Sequence, residues 1–390
     1  MSAPDASSVK ILLVTNDFGP RAGGIETFVM GLLERLPEGS TSVYTSDQGE
    51  TKAYDKKWLV EHGFTVTRDR SRILLPTPRV ISEIGRAISQ EGITHLWFGA
   101  AAPLGVMAPL LKRKYPHLRA VALTHGHEVW WSRIPPFSIL MRLIGSGLDS
   151  IGYLAEYTRK EIAKGLRKRD KSKLVQIAPG IDIDRFAPNF DESAKSRLKE
   201  SLGLQEKRIL ISVGRLVHRK GQDRLIDALP KIIDEIPNAH LLLVGEGPYR
   251  KKLEERVHRR GLSRSVTFVG RLQLDELPLY LSISDLFAMP SRDRLAGFEV
   301  EGLGIVYLEA SSCALPVIVG RSGGAPDALI DGETGLLVDG TDADDVARAC
   351  IEILSDPQRA SEMGEKGRAW VVTRWNWDRW AEEFQAVLLR

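Results

Sequence analysis

The chain has 390 residues, which is more than one ordinary hydrophobic core holds, so its length predicts two domains. Its composition, 43% hydrophobic and 27% charged, is that of a soluble globular protein. No apolar run reaches the ~18 residues that a membrane helix needs, which excludes a membrane-spanning chain. The start, MSAPDASSVK, lacks the basic and apolar regions of a signal peptide, so we expect a cytoplasmic protein.

Charge is unevenly distributed along the chain, although the net charge is only +3. Residues 1–200 hold 29 Lys and Arg against 22 Asp and Glu, a net +7, which leaves −4 for the remainder. A basic front half suits an anionic partner such as a phospholipid surface or a phosphorylated acceptor, but scattered solvated lysines explain it equally well. Cys313 and Cys350 lie in apolar helical segments and are expected to be buried thiols in a reducing compartment.

Short apolar runs alternate with helical patterns along the first half. VKILLVTND (9–17) predicts a buried strand, the loop FGPRAGG follows it, and IETFVMGLLERL has apolar residues at helical spacing. SVYTSD, THLWFGA, AVALTHG and SIGYLA predict further strands, each followed by a helical segment. Strands that alternate with helices indicate βα units and a parallel sheet. KLVQIAPGIDIDRFAP (173–188) then has the Pro and Gly content of a domain linker.

The second half repeats this alternation. Strands are predicted at RILISVG, HLLLVGEG, SVTFVG, DLFAMP, PVIVG and GLLVD, with helical patterns between them, and the aromatic-rich final helix is expected to return to the first domain. The predicted fold is therefore α/β: two Rossmann-like doubly wound domains facing a cleft, residues 1–187 with 373–390, and residues 188–372. Because ligands bind beyond the carboxyl ends of such strands, we expect the site in that cleft.

Two carboxylates mark the segment FEVEGLGIVYLE (298–309). Glu301 precedes a Gly-x-Gly turn, and Glu309 follows about two helical turns later. Gly302 and Gly304 allow a ligand to approach the backbone, and the amides at the start of the next helix form an anion site. One acid could hold a sugar near a phosphate and the other a ribose diol. Alone, the pair is more typical of an ordinary charged helix than of a ligand site.

Two glycine-containing loops carry further features that suit phosphate. Gly23 and Gly24 open a helix after the first strand, where exposed amides could receive a phosphate or simply form a turn. GRLVHRKG (214–221) places Arg215 and Lys220 after a strand, where two cations suit a diphosphate and could neutralise a leaving diphosphate without a metal.

Several other polar residues lie in segments where metal or cofactor ligands occur. His125 and His127, in THGHEVWW, follow a strand, but no Cys or carboxylate set completes a tetrahedral zinc site. The aspartate pairs in IDID and TDAD have turn or helix-cap settings. GEGPYR lacks the third glycine of a dinucleotide fingerprint, and there is no Walker loop. No metal and no cofactor are expected.

Taken together, these motifs resemble the retaining glycosyltransferases of the two-domain GT-B fold, family 4. The resemblance runs from about residue 9 to 380 through FGPRAGGIE, THGHE, PGIDIDRFAP, SVGRLVHRKGQDRLIDAL, LLLVGEG, VGRL, EGLGIVYLEA, GGAPDALIDGETGLLV and WNWDRW. VTNDFGPRAGGIE, LLPTP, WFGAAAPL, THGHEVWW, LVHRKGQD and FEVEGLGIVYLEA are most similar to the actinobacterial enzymes that add mannose from GDP-mannose to phosphatidylinositol mannosides, at the second mannosyl transfer. EGLG stands where EGFG is commoner, and RDRLAGFEV is longer than the usual approach to the first glutamate.

The resemblance implies roles for individual residues. Arg215 and Lys220 would bind the donor diphosphate, Glu301 the sugar hydroxyls and Glu309 the ribose, while His125 would lie by the sugar and acceptor. The remaining donor-binding positions that it implies are Gly23, Gly24, Gly214, Gly245, Arg271, Leu272, Leu303, Gly304, Ile305 and Val306. In this assignment the Gly24 amide meets the distal phosphate, the amides of residues 303–306 line the phosphates, and the backbone at 271–272 meets the base.

The resemblance also implies a mechanism and partners. Retention without an evident nucleophile favours a metal-independent, front-face departure, in which the leaving phosphate oxygen accepts the proton of the incoming hydroxyl. The segments 102–115 and 135–148 combine apolar and basic residues and could rest on an anionic membrane, at the inner face of the plasma membrane, or be ordinary core helices. Alternatives are a transferase with another sugar or a non-lipid acceptor, a nucleotide-sugar epimerase or phosphorylase on this scaffold, and a non-catalytic two-domain binding protein.

Overall fold

The protein is described from a computed structural model that covers residues 9–20 and 23–390. The strands are β1 (Ile11–Thr15), β2 (Thr41–Thr45), β3 (Thr65–Arg68), β4 (His95–Phe98), β5 (Arg119–Leu123), β6 (Ser150–Tyr153), β7 (Leu174–Gln176), β8 (Arg208–Val213), β9 (Ala239–Val244), β10 (Val266–Gly270), β11 (Leu286–Met289), β12 (Val317–Gly320) and β13 (Gly335–Val338). The helices are α1 (Gly24–Leu33), α2 (Lys52–His62), α3 (Pro78–Glu91), α4 (Ala108–Lys114), α5 (Glu128–Arg133), α6 (Phe137–Gly147), α7 (Glu156–Gly165), α8 (Glu192–Leu202), α9 (Gln222–Glu235), α10 (Arg250–Arg259), α11 (Leu277–Ser282), α12 (Ile305–Ser312), α13 (Ala343–Leu354), α14 (Pro357–Arg374) and α15 (Trp377–Leu388).

The chain divides into two compact units. The first unit runs up to Gly180 and includes Trp377–Arg390, and the second unit is Ile181–Asn376. The sequence prediction put the divisions after residues 187 and 372. Each unit is organised around its own parallel sheet, and the predicted α/β class with two doubly wound sheets is confirmed.

The sheet of the first unit has seven parallel strands in the order β3-β2-β1-β4-β5-β6-β7. All five residues of β1, ILLVT, are buried, as expected for a central strand covered by helices on both faces. In register, Ile11 pairs with Thr41 of β2 on one side and His95 of β4 on the other. The strand order therefore reverses between β1 and β4.

The sheet of the second unit has six parallel strands in the order β10-β9-β8-β11-β12-β13. The apolar runs of β8 and β9 pair along their whole length, with Leu210 opposite Leu241. Helix α9 packs its buried face, including Leu225 and Ile232, into the core on this sheet. Here the strand order reverses between β8 and β11.

Helix α15 completes the first unit, as the sequence predicted. Phe384 is fully buried, with its ring centroid 4.7 Å from that of Trp97 on β4. Arg119 of β5 donates a hydrogen bond from Nη2 to the carbonyl oxygen of Val387 at 2.7 Å. The predicted single helix is in fact two, because α14 ends at Arg374 and α15 begins at Trp377.

Two strands were missed in the sequence. β3, TVTR, alternates exposed and half-buried residues at the sheet edge and contains no apolar run. β7, LVQ, lies within the segment interpreted as a linker and adds the seventh strand. Both cysteines are buried free thiols, as predicted, and burial raises the pKa of each thiol to about 12. Within the described residues, no helix combines the length and apolar character needed to cross a bilayer.

Candidate functional site

The second unit gathers most of the predicted site residues at the point where its strand order reverses. β8 ends at Val213 and leads through Gly214 into a 3-10 turn at His218–Lys220, and β11 ends at Met289 and leads into the long segment 290–304 before α12. In doubly wound sheets, ligands bind in the crevice outside the strand ends at this reversal.

An ion cluster joins these two loops. The Glu301 carboxylate accepts from Lys220 Nζ at 2.8 Å and from Arg219 Nη1 at 2.5 Å. Glu301 and Lys220 are 7% and 8% exposed, so the pair is almost completely shielded from water. Burial alone would raise the pKa of Glu301, but the charges of Lys220 and Arg219 outweigh it and hold the pKa below its usual value. Glu301 is therefore ionised, and the cluster carries one excess positive charge.

The backbone of Glu301 is fixed by a short polar chain. Its N–H donates to Ser322 Oγ at 3.1 Å, and that hydroxyl donates to Asp293 Oδ1 at 2.9 Å. The N–H of Gly323 donates to the same oxygen at 3.0 Å. Ser322 is buried, so this network holds the backbone of Glu301 in place while the cations bind its carboxylate.

A buried ion pair fixes the turn that carries the two cations. The Arg292 guanidinium, 5% exposed, donates from Nη2 to both carboxylate oxygens of Asp223 and to His218 Nδ1 at 2.7 Å. Arg292 also donates its backbone N–H to the carbonyl oxygen of Arg219 at 2.9 Å. Burial and the neighbouring guanidinium lower the pKa of His218, so its ring stays neutral and can accept this bond.

Helix α12 begins directly beside Glu301. Its N-cap, Gly304, has φ 84°, and a Cβ there would lie 2.4 Å from the Tyr307 ring, so only glycine fits. The Tyr307 hydroxyl donates to the carbonyl oxygen of Met289 at 2.7 Å, which anchors the helix start to the end of β11. No side chain of the described residues caps this helix, so the amides of residues 303–306 are available to an anion.

Glu309 lies in α12 and is half-buried. Its carboxylate forms no hydrogen bond or ion pair within the part of the chain that the structure describes, and the charges of Arg185 and Lys220 act on it only at longer range. Burial without a close partner raises its pKa from 4.5 to about 7. Such a carboxylate is an unused hydrogen-bond acceptor beside the ion cluster.

Three neighbouring strands of this sheet end at a glycine or directly before one. The N–H of Gly214, after β8, donates to the carbonyl oxygen of Val244 at 3.0 Å, and the N–H of Gly245, after β9, donates to that of Gly270 at 2.7 Å. A Cβ on Gly245 would lie 2.1 Å from the carbonyl oxygen of Gly214, so the two loops touch through backbone alone. Arg271 and Leu272 follow β10 at the sheet edge, with Arg271 exposed.

Gly23, Gly24 and His125 lie in the first unit. Gly23 is the N-cap of α1 with extended backbone, and a Cβ on the exposed Gly24 would meet no atom of the described residues within 4 Å. His125 follows β5, and its Nε2 is 2.6 Å from the carbonyl oxygen of Gly99 at the end of β4. Burial lowers the pKa of His125, so the ring is neutral, and the carbonyl contact requires the proton on Nε2. Nδ1 remains as an acceptor.

Sequence reasoning missed several contributors to this site. It named Arg215, which is exposed and whose carbonyl oxygen accepts from Gln222, but Arg219 is the arginine that contacts Glu301. It also missed Arg292 and Asp293, since nothing in the linear pattern distinguishes them from surface charges. Within residues 9–20 and 23–390, no group of three or more His, Cys, Asp or Glu side chains is arranged to hold a metal ion. The predicted cap role in TDAD is confirmed, because Asp342 accepts from the N–H of Asp344 at the start of α13.

Known proteins match this chain over nearly its full length. Residues 194–370 match the family model of the glycosyl transferases group 1. The GDP-mannose-dependent alpha-(1-6)-phosphatidylinositol monomannoside mannosyltransferase of Mycolicibacterium smegmatis is 43% identical over 94% of this chain and 95% of its own. The GDP-mannose-dependent monoacylated alpha-(1-6)-phosphatidylinositol monomannoside mannosyltransferase of Corynebacterium glutamicum is 39% identical over 98% of each chain.

Solved structures confirm the fold. Anabaena HepE, crystallised with UDP, superposes with a TM-score of 0.79 at 20% identity over 97% of this chain and 99% of its own. Sucrose-phosphate synthase from Thermosynechococcus elongatus superposes with a TM-score of 0.75 at 22% identity, over 97% of this chain and 98% of its own. The chain is therefore a glycosyltransferase of the GT-B fold and belongs to the family of GDP-mannose-dependent phosphatidylinositol mannoside mannosyltransferases.

Proposed function

We propose that this enzyme transfers mannose from GDP-mannose to a phosphatidylinositol mannoside, forming an α linkage. The observation that carries this assignment is the buried Glu301 held by Lys220 and Arg219 beside the open start of α12. It occurs in a chain 39–43% identical to relatives whose names specify this donor and this class of acceptor. Identity over nearly the whole chain favours glycosyl transfer over an epimerase, a phosphorylase or a non-catalytic binding protein.

The donor would lie across the strand ends of the second unit. Lys220 has three N–H donors and directs one to Glu301, so two remain for the diphosphate, together with the amides of residues 303–306 and the cation of Arg215. The Gly24 amide would meet the distal phosphate. Ionised Glu301 would accept from mannose hydroxyls, and Glu309 would accept from the ribose diol. The base would lie against the backbone at Gly245, Arg271 and Leu272.

Transfer would proceed on one face of the sugar. The bond between the anomeric carbon and the β-phosphate oxygen breaks, the acceptor hydroxyl oxygen bonds to that carbon from the same face, and its proton passes to the departing phosphate oxygen. Lys220 and Arg215 would stabilise the charge that grows on the diphosphate, so no divalent ion is required in this scheme. His125 Nδ1, as an acceptor, would orient a hydroxyl of the sugar or of the acceptor.

A glycolipid acceptor would lie in a membrane, so the reaction would occur at a membrane surface. We assign the enzyme to an anionic surface, as a peripheral protein on the inner face of the plasma membrane. The basic first 200 residues, with net charge +7, are consistent with such a surface.

Purified protein, GDP-mannose labelled in the sugar and vesicles containing a phosphatidylinositol monomannoside test the proposal. Label should enter the lipid extract and stay there through acid-free washing, with labelled UDP-glucose as the control donor. Release of free mannose without lipid labelling, or preferential use of UDP-glucose, would contradict the assignment.

A further inference from the structure

The outward face of α6 carries aliphatic side chains where a surface helix ordinarily has polar ones. Ile139 is 60% exposed and Leu143 37% exposed, and they lie one turn apart on the same face, with Arg142 beside them. The opposite face buries Met141 and Ile144 in the core of the first unit. The helix therefore presents a second apolar stripe, Ile139 and Leu143, on its exposed side.

A groove runs beside this stripe. Its volume is about 590 Å³, and its walls are formed by Ile139, Leu140, Arg142, Leu143, Leu166 and Arg167. Four of these six side chains are aliphatic, and the two arginines supply all of the charge. The groove is thus an apolar surface with a cationic edge.

The two arginines that line the groove, and the three cations that follow Arg167 in the chain, are unpaired among the described residues. Arg142, Arg167, Lys168, Arg169 and Lys171 are all exposed, and none of their side chains forms an ion pair or hydrogen bond within residues 9–20 and 23–390. Nearby cations behave differently, since Arg133 and Lys164 both bind Glu161.

Acidic residues do not offset this charge. Residues 129–148 contain no Asp or Glu, and residues 162–173 contain only Asp170. Asp170 is 2% exposed and is paired with Lys173 at 2.8 Å. The five unpaired cations therefore give this surface, which we call the α6 surface, a strong positive charge.

We propose that the α6 surface docks on a bilayer that contains anionic lipid, with Ile139 and Leu143 at the level of the acyl chains and the five cations on lipid phosphates. This deepens the proposed function, since it rests on a lipid acceptor and names the surface that meets the membrane. Nucleic acid would match the charge but not the aliphatic centre, because single strands bind through aromatic stacking. A second copy of this chain would bring like charges together.

Flotation with vesicles of phosphatidylglycerol and phosphatidylcholine tests the docking surface. Wild-type protein should bind these vesicles and not pure phosphatidylcholine, and binding should weaken with salt. The double variant Arg167→Gln/Arg169→Gln should bind about 25-fold more weakly, since each cation near the surface contributes about fivefold. The double variant Ile139→Ser/Leu143→Ser should bind these vesicles about tenfold more weakly or worse, because it buries less apolar surface in the bilayer. Lys251→Gln/Lys252→Gln on α10, exposed cations of the second unit, should bind like wild type.

The outcomes separate docking from catalysis. Wild-type binding by either α6 variant overturns the inference, as does tighter binding of duplex DNA than of vesicles at equal salt, or self-association that the variants abolish. Both variants should keep full transfer to an acceptor dissolved in detergent micelles while losing transfer to vesicle acceptor. Vesicle binding without any transfer in wild type would reject the proposed function and leave the docking surface intact.

Discussion

Replacing Glu309 with glutamine should stabilise the protein while weakening its hold on the donor. Burial raises the pKa of Glu309 from 4.5 to about 7. A carboxyl group with a raised pKa binds more protons in the folded state than in the unfolded state, so its stability contribution is complete below pH 4.5 and is lost as the pH rises through about 7. At pH 8 the loss is at most about 3 kcal/mol, since one pKa unit is worth 1.36 kcal/mol. Glu309→Gln removes this cost and should raise the free energy of unfolding by up to that amount.

The assay must report on the second unit alone, because two-domain chains often unfold in more than one step. Urea titrations at pH 5 and pH 8 meet this need when unfolding is monitored through the amide hydrogen exchange of β8, β9 and β12. The stability gain of Glu309→Gln should be close to its maximum at pH 8 and below about 1 kcal/mol at pH 5. GDP affinity should fall about 10–100-fold at pH 8, from the loss of hydrogen bonds to a charged group. Exposed Glu365 is the matched control, and Glu365→Gln should change neither quantity. A variant no more stable than wild type at pH 8, or one with unchanged GDP affinity, would refute the reasoning.

Four further outcomes follow from the same geometry. Lys220→Met should lower kcat about 10²–10³-fold with an unchanged circular dichroism spectrum. The control Lys231→Met, on the exposed side of α9, should be fully active. A near-normal kcat for Lys220→Met would show that Lys220 does not bind the diphosphate. Excess EDTA should leave the initial rate of labelled mannose transfer unchanged, and a rate restored only by Mg²⁺ would contradict the charge-stabilised scheme. GDP affinity of wild type, measured by calorimetry, should weaken about tenfold from pH 8 to pH 6 as Glu309 gains a proton, a dependence absent from Glu309→Gln. Phe384→Ala should cost the first unit about 3–5 kcal/mol in urea unfolding, because it empties a fully buried site against Trp97; a loss below 1 kcal/mol would mean that α15 is dispensable to that core.

The fold could be predicted wherever a strand was buried on both faces. The apolar runs of β1, β8 and β9 can be recognised as strands from composition alone, because a central parallel strand has no polar face. β3 and β7 could not be found in this way. β3 lies at a sheet edge and alternates exposed and half-buried residues, and β7 is only three residues long. Both strands therefore form because a neighbouring strand supplies their hydrogen bonds.

The candidate site was only partly predictable for a related reason. The motif GRLVHRKG contains three cations and a histidine, and spacing does not say which of them face one another. The 3-10 turn at His218–Lys220 directs Arg219 and Lys220 to Glu301, and that turn is set by Arg292, more than seventy residues away in sequence. The burial of Glu309, and hence its raised pKa, likewise depends on packing of the whole unit.

The Glu301 cluster has a consequence for inhibitor chemistry. Lys220 and Arg219 are already held by a carboxylate that stays ionised, so a compound gains little by offering them a neutral acceptor. Removing an inhibitor's negative charge to improve cell entry would therefore sacrifice the attraction that the excess cation provides. Compounds that keep one anionic group for the cations and also place a hydrogen-bond donor on the Glu309 carboxylate would use both groups at once.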